Sequence, residues 1–315
     1  GLAFLETTAN PYILAMGDKS TATQRLNLAQ AFNPVGLIGG LLVAQQFVLK
    51  KLQSDDVDYG GLSEAAKTTI RQADLMAIRN PYVVLGFGVI LILILIIVTK
   101  MPENKSEGRL DDLGTTIKQL FTNRLFTYGV IAQTFYVGAQ IMCWTYIYHY
   151  SESIGIDGDT AGYYQFIAFI LFFTGRFICT FLLRYVSSGK LLMLLSVLGI
   201  LCVLGVMFIG GMNGLYSLVA ISFCMSLMFP TIYGIALEEL NEEQSKVGAA
   251  FLVMAIVGGA LMPFLQGYIL DLGGPGLTDT EILGVSEINF SFILPLICFI
   301  LIALYGQMEV KNKNY

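Results

Sequence analysis

Residues 82–99 read YVVLGFGVILILILIIVT, a run with no charged side chain. Crossing the hydrocarbon core of a bilayer takes about 20 apolar residues in a helix. This run is of that size, and no water-facing helix could carry it. Residues 191–237 are also free of charge, and that stretch holds two spans with a tight turn at Gly210-Gly211-Met212-Asn213-Gly214. Over the whole chain 55% of residues are hydrophobic and 13% charged. Soluble domains carry about 25% charged residues. The sequence therefore reads as an all-α integral membrane protein.

Working outward, eight spans are expected at about 26–49, 79–99, 125–150, 160–184, 189–210, 213–238, 246–270 and 288–307. The apolar stretch 1–16 is interrupted by Glu6 and Asn10-Pro11 and reads as the tail of a helix whose beginning is missing, so an N-terminally truncated chain is expected. Residues 50–78 are polar. Residues 100–124 are a hydrophilic linker with a short amphipathic helix. The expected division is 1–99 as the C-terminal part of an N-terminal helix bundle, 100–124 as a cytoplasmic central linker, and 125–315 as a complete C-terminal six-helix bundle. Lys and Arg favour the cytoplasmic side. Placing the loop 17–25 inside puts twelve of them there, among them Lys19, Arg25, Arg124, Arg184, Lys190 and Lys311, against five outside, all near the 50–79 loop. The C-terminus is then cytoplasmic.

An internal repeat is legible. Pro11 precedes Gly39-Gly40 by the same interval as Pro230 precedes Gly258-Gly259. Laid on each other, residues 11–40 and 230–259 also match at Ile13/Ile232, Ala31/Ala250 and Phe32/Phe251. Two related halves of parallel-repeat type are expected. At this offset Glu6 meets Met225, Asn10 meets Phe229, Gln30 meets Ala249 and Asn33 meets Leu252. One half builds its helices with apolar side chains where the other has polar ones, so the fold does not require polar groups there.

Glu6 is costly at membrane depth, and an ionisable residue in a span marks a pathway or a proton relay. Asn10 lies one turn along the same face. The alternatives are a glutamate near a helix end, or one permanently paired with a cation in the missing part. Gln30, Asn33 and Asn27 form a polar stripe; amides donate and accept at once, which suits sugar hydroxyls, although they also join helices. Gln133, Tyr136, Gln140 and Trp144 fall on one face, where an indole can underlie a sugar ring; an interfacial tryptophan anchor is the other reading. Arg176 follows Gly175 near a span end. It either snorkels to the cytoplasmic interface or makes a gating contact between helix ends. The five cysteines lie in apolar runs without metal-binding or paired spacing and read as core fillers. No nucleotide-binding loop, metal cluster or nucleophile–base set is found, so no cofactor and no metal site is expected, and an enzyme is not.

The stretches LETTANP (5–11), RLNLAQAFNPVG (25–36), YVGAQIMCW (136–144), GRF (175–177), FPTIYGIAL (229–237) and FLVMAIVGGALMP (251–263) resemble the fucose–galactose–glucose:proton symporter family of the major facilitator superfamily. The resemblance implies a partial superfamily fold, from the end of helix 4 through helix 12 of twelve. It implies proton-linked, transport-essential Glu6, and Gln30 and Asn33 lining a sugar cavity. It leaves open which hexose is carried. The family's second alanine in the first motif is Thr8 here. The implied partners are a small sugar and the lipid bilayer of a bacterial inner membrane, with no nucleic acid, and a monomer. Sodium-coupled or uncoupled sugar carriage, or a non-transporting sugar sensor, are the competing functions.

Overall fold

The computed structural model describes residues 2–48, 51–52, 57, 61–100, 113–274, 276 and 280–313. In chain order the helices are α1 (Leu2–Ala15), α2 (Ala22–Gln30), α3 (Asn33–Val43), α4 (Glu64–Val98), α5 (Leu113–Thr122), α6 (Arg124–Ser153), α7 (Gly158–Leu182), α8 (Ser188–Phe208), α9 (Gly211–Met225), α10 (Met228–Leu237), α11 (Glu242–Met254), α12 (Gly258–Leu270), α13 (Glu287–Ser291) and α14 (Ile293–Lys313). A two-residue hairpin pairs Glu281–Ile282 (β1) with Val285–Ser286 (β2). Among the described residues six helical runs are long and apolar enough to cross a membrane: 64–98, 158–182, 188–208, 211–237, 242–270 and 287–313. The expected spans at 26–49 and 125–150 are also helical, the first in pieces and the second as the more polar α6.

Three expected spans are broken. The first, 26–49, is interrupted between Gln30 and Asn33. Pro34 has no N–H to give Gln30 O, and α2 closes with short bonds from Ala31 N–H to Leu28 O (3.1 Å) and Phe32 N–H to Ala29 O (3.4 Å). The span 213–238 breaks at Ser226–Leu227, four residues before Pro230. The span 246–270 passes through a 3-10 turn at Ala255–Val257. In the other direction, α4 starts well before residue 79, because Ser63 caps it, its hydroxyl accepting from Ala66 N–H at 3.4 Å. The amphipathic helix expected in the linker is α5; residues 101–112 of that linker lie outside the described residues.

The chain divides into two compact units, Gly1–Phe32 with Gly108–Tyr315, and Asn33–Glu107. Within the larger unit α1 packs on α11, and α2 packs on α10 and α7. In the smaller unit no residue of α4 is buried, and its apolar residues 82–98 are all exposed, as on a lipid-facing helix. In the larger unit α6 runs through the core. Its Tyr136, Met142, Ile147 and Tyr150 are fully buried, with α9, α10 and α14 packed against the helix. Where α6 crosses α12 a side chain at Gly258 would sit 2.0 Å from the Thr134 carbonyl, so only glycine permits that approach. α5 is tied to α11 by Thr116 Oγ1 donating to Glu243 Oε1 (3.0 Å) and Gln244 Nε2 donating to Gln119 Oε1 (3.2 Å).

Candidate functional site

α1 and α2 bring the expected polar residues of the first stretch together. Glu6 is half-buried and Asn10, one turn on, is 4% exposed. Gln30 Nε2 donates to Asn10 Oδ1 at 2.9 Å. The Asn10 amide nitrogen is buried with no partner among the described residues, an unused donor in an apolar setting. The buried hydroxyl of Tyr233 on α10 has no partner among the described residues either. Sequence reading missed Tyr233: in FPTIYGIAL it looks like one more apolar residue.

Toward the end at which α2 begins and α7 and α10 finish, a seam closes α2 on both neighbours. Gln24 Nε2 donates to Thr180 O at 3.2 Å. Asn27 Nδ2 donates to Thr231 Oγ1 at 3.1 Å. A side chain at Gly234 would lie 2.8 Å from Thr23 Oγ1, so α2 and α10 touch there because position 234 is glycine. Arg25 holds the preceding loop, donating to Asp18 O and Thr21 Oγ1 (2.6 Å each) and to Leu14 O (3.2 Å). The Asp18 carboxylate accepts from Ser20 N–H at 2.9 Å, which holds it below the usual carboxylate range.

Arg176 does not snorkel. It is 4% exposed, inside the bundle, with its guanidinium 4.8 Å from the centre of the Phe172 ring. Its Nε donates to Ser226 O at 2.8 Å, and its Nη1 donates to Gln30 O. Of the two readings open in the sequence, snorkelling does not describe this side chain: Arg176 is a buried link between helices. Its GRF context reveals a basic residue but not the carbonyls that draw it inward.

The α6 face is only partly assembled as a site. Gln133 is 0% exposed and neither amide atom has a partner among the described residues. Tyr136 is buried, its hydroxyl donating to Met225 O at 3.1 Å. Further along, Gln140 and Trp144 are half-exposed. Trp144 Nε1 donates to Ser222 Oγ at 3.2 Å, and the ring meets Phe169 and Phe172 edge-on at 5.0 Å. Asn33 opens α3 in the smaller unit with an exposed side chain.

Long apolar helices, a half-buried carboxyl one turn from a part-buried amide pair, and a polar seam between helices are the parts of a membrane carrier. The Major Facilitator Superfamily profile matches residues 1–263. The chain belongs to that superfamily and, within it, to the fucose–galactose–glucose:proton symporter family. It is 53% identical over 314 residues to the L-fucose-proton symporter of Haemophilus influenzae, covering 97% of this chain and 71% of that protein. A crystal structure of the Escherichia coli fucose:proton symporter superposes with a TM-score of 0.86 at 29% identity, over 97% of this chain and 73% of that one. A putative glucose/galactose transporter of Helicobacter pylori is 28% identical over 100% of this chain and 72% of its own length.

Proposed function

We propose that the chain carries a hexose-type sugar of the L-fucose, glucose and galactose class inward together with a proton, by alternating access. The observation that carries this reading is the Glu6–Asn10–Gln30 cluster, set in a chain 53% identical to a protein named as an L-fucose-proton symporter. Glu6 exchanges the proton. Asn10, Gln30 and Asn33 read sugar hydroxyls, with Gln140 and Trp144 extending the site. Gln133, enclosed with both amide atoms unused, joins it when α6 and α10 part. Arg176 belongs to the gate. Residues 1–99 then supply part of an N-terminal bundle, 100–124 the cytoplasmic linker and 125–315 the C-terminal bundle. The seam lies on the cytoplasmic side, the C-terminus is cytoplasmic, the membrane is a bacterial inner membrane, and the carrier works as a monomer without cofactor, metal, nucleic acid or enzymatic activity.

Sugar and proton are coupled if each alters the equilibrium between the two exposures of the site. Glu6→Gln imitates the protonated form. It is expected to retain sugar binding and counterflow of labelled sugar in vesicles, and to lose accumulation driven by a pH gradient. Accumulation at the wild-type level would remove Glu6 from the coupling step. Accumulation that follows an imposed sodium gradient instead of a proton gradient would favour the sodium-coupled reading.

A further inference from the structure

Two prolines leave two carbonyls without their helical partners. In a continuous helix the N–H of residue i bonds the carbonyl of residue i−4. Pro34 therefore cannot serve Gln30 O, and Pro230 cannot serve Ser226 O. These are the two oxygens that Arg176 takes, one through Nη1 and the other through Nε. One planar guanidinium thus supplies both missing donors, each in a charge-assisted bond. The two carbonyls lie at the ends of α2 and α9, where the partial negative charge of a helix C-terminus favours a cation. The tie is specific to this junction: the other seam bonds, Gln24 to Thr180 and Asn27 to Thr231, are between neutral groups.

We infer that Arg176 is a positioning residue of the transport cycle, a pin that holds α2 against the α9–α10 junction through the carbonyls orphaned by Pro34 and Pro230. The inference rests on the carrier reading and deepens its gate. The pin meets the sugar site at one residue. Gln30 gives its backbone carbonyl to Arg176 and its side-chain amide to Asn10. A sugar that takes the Gln30 amide from Asn10 acts on the residue that anchors the seam. Opening the seam requires Arg176 to leave Gln30 O, and the cost of baring a buried guanidinium and a buried carbonyl sets how tightly the closed form is held.

The test is the rate at which a thiol introduced at Thr23, inside the seam, reacts with a hydrophilic maleimide. It uses the full chain purified in detergent, with a thiol at exposed Ser187 as the reference site and the native cysteines as background. Arg176→Gln should speed labelling at position 23 by about tenfold, the size of a lost charge-assisted bond, without changing position 187. Pro34→Ala, which leaves the arginine untouched and offers Gln30 O a backbone N–H, should speed it in the same sense. The two changes together should do no more than Arg176→Gln alone, because they break the same bond. Unchanged labelling in Arg176→Gln, or effects of the two changes that simply add, would overturn the pin. If Arg176→Gln does not fold, Pro34→Ala and Pro230→Ala decide alone: both must raise labelling for the pin to stand. Labelling needs no transport. Absent counterflow with the expected labelling would remove the carrier reading and leave the pin in place.

Discussion

At the scale of single residues, the useful signal is where polar atoms lack partners. Gln133 is the sharpest case. A buried amide with neither atom bonded among the described residues costs about 1–3 kcal/mol. Gln133→Leu is therefore expected to raise the melting temperature of the purified chain while slowing sugar counterflow. A variant that is more stable and transports normally would exclude Gln133 from the sugar site. Gln30→Ala should act in the opposite way. It removes the donor to Asn10 and, in the proposed site, a sugar contact; affinity measured by calorimetry should fall about tenfold, with little change in melting because the Gln30 backbone carbonyl still serves Arg176. In the sequence, the repeat sets Gln30 and Asn10 apart from the fold, with Ala249 opposite Gln30 and Phe229 opposite Asn10. It could not rank Gln133 against Gln140. Helical spacing fixes direction around an axis and not depth along it, and Gln133 is fully buried where Gln140 is half-exposed.

Elements were legible by length and illegible by their interruptions. Apolar runs located every span within a few residues, apart from the early start of α4. The breaks between Gln30 and Asn33 and at Ser226–Leu227 were not read, although Pro34 and Pro230 announce them in hindsight. A proline in an apolar run is ambiguous without its partner carbonyl: Pro81 and Pro263 lie inside helices α4 and α12. Helix starts are better marked. Asn123, Asp157 and Asn241 each cap a helix with a side-chain oxygen, and Asn241 forms a reciprocal box with Gln244, accepting at 2.8 Å and donating its N–H back at 3.3 Å. Asn241→Ala should cost about 1 kcal/mol, read as a lower melting temperature. An unchanged melting curve would mean that α11 is held by α5 and α1 and not by its cap.

For the molecule as a whole, the seam converts local closeness into one large-scale state, with α2 shut against α7 and α10. A Cβ built at Gly234 lies 3.3 Å from the Thr23 Cβ, near the usual separation of about 3.8 Å in a disulfide. Oxidising a Thr23→Cys, Gly234→Cys pair should freeze this state, stopping counterflow until a reductant is added; continued counterflow in the cross-linked protein would show that transport does not need the seam to open. The composition also provides a way to watch the carrier without labels. Trp144 is the only tryptophan of the chain, and its indole N–H is held by Ser222 between two phenylalanine rings. All indole emission from these residues therefore comes from a single half-sheltered point on α6. Its wavelength follows the polarity of that point alone, so titrating candidate hexoses against intrinsic fluorescence would rank them on the unmodified chain.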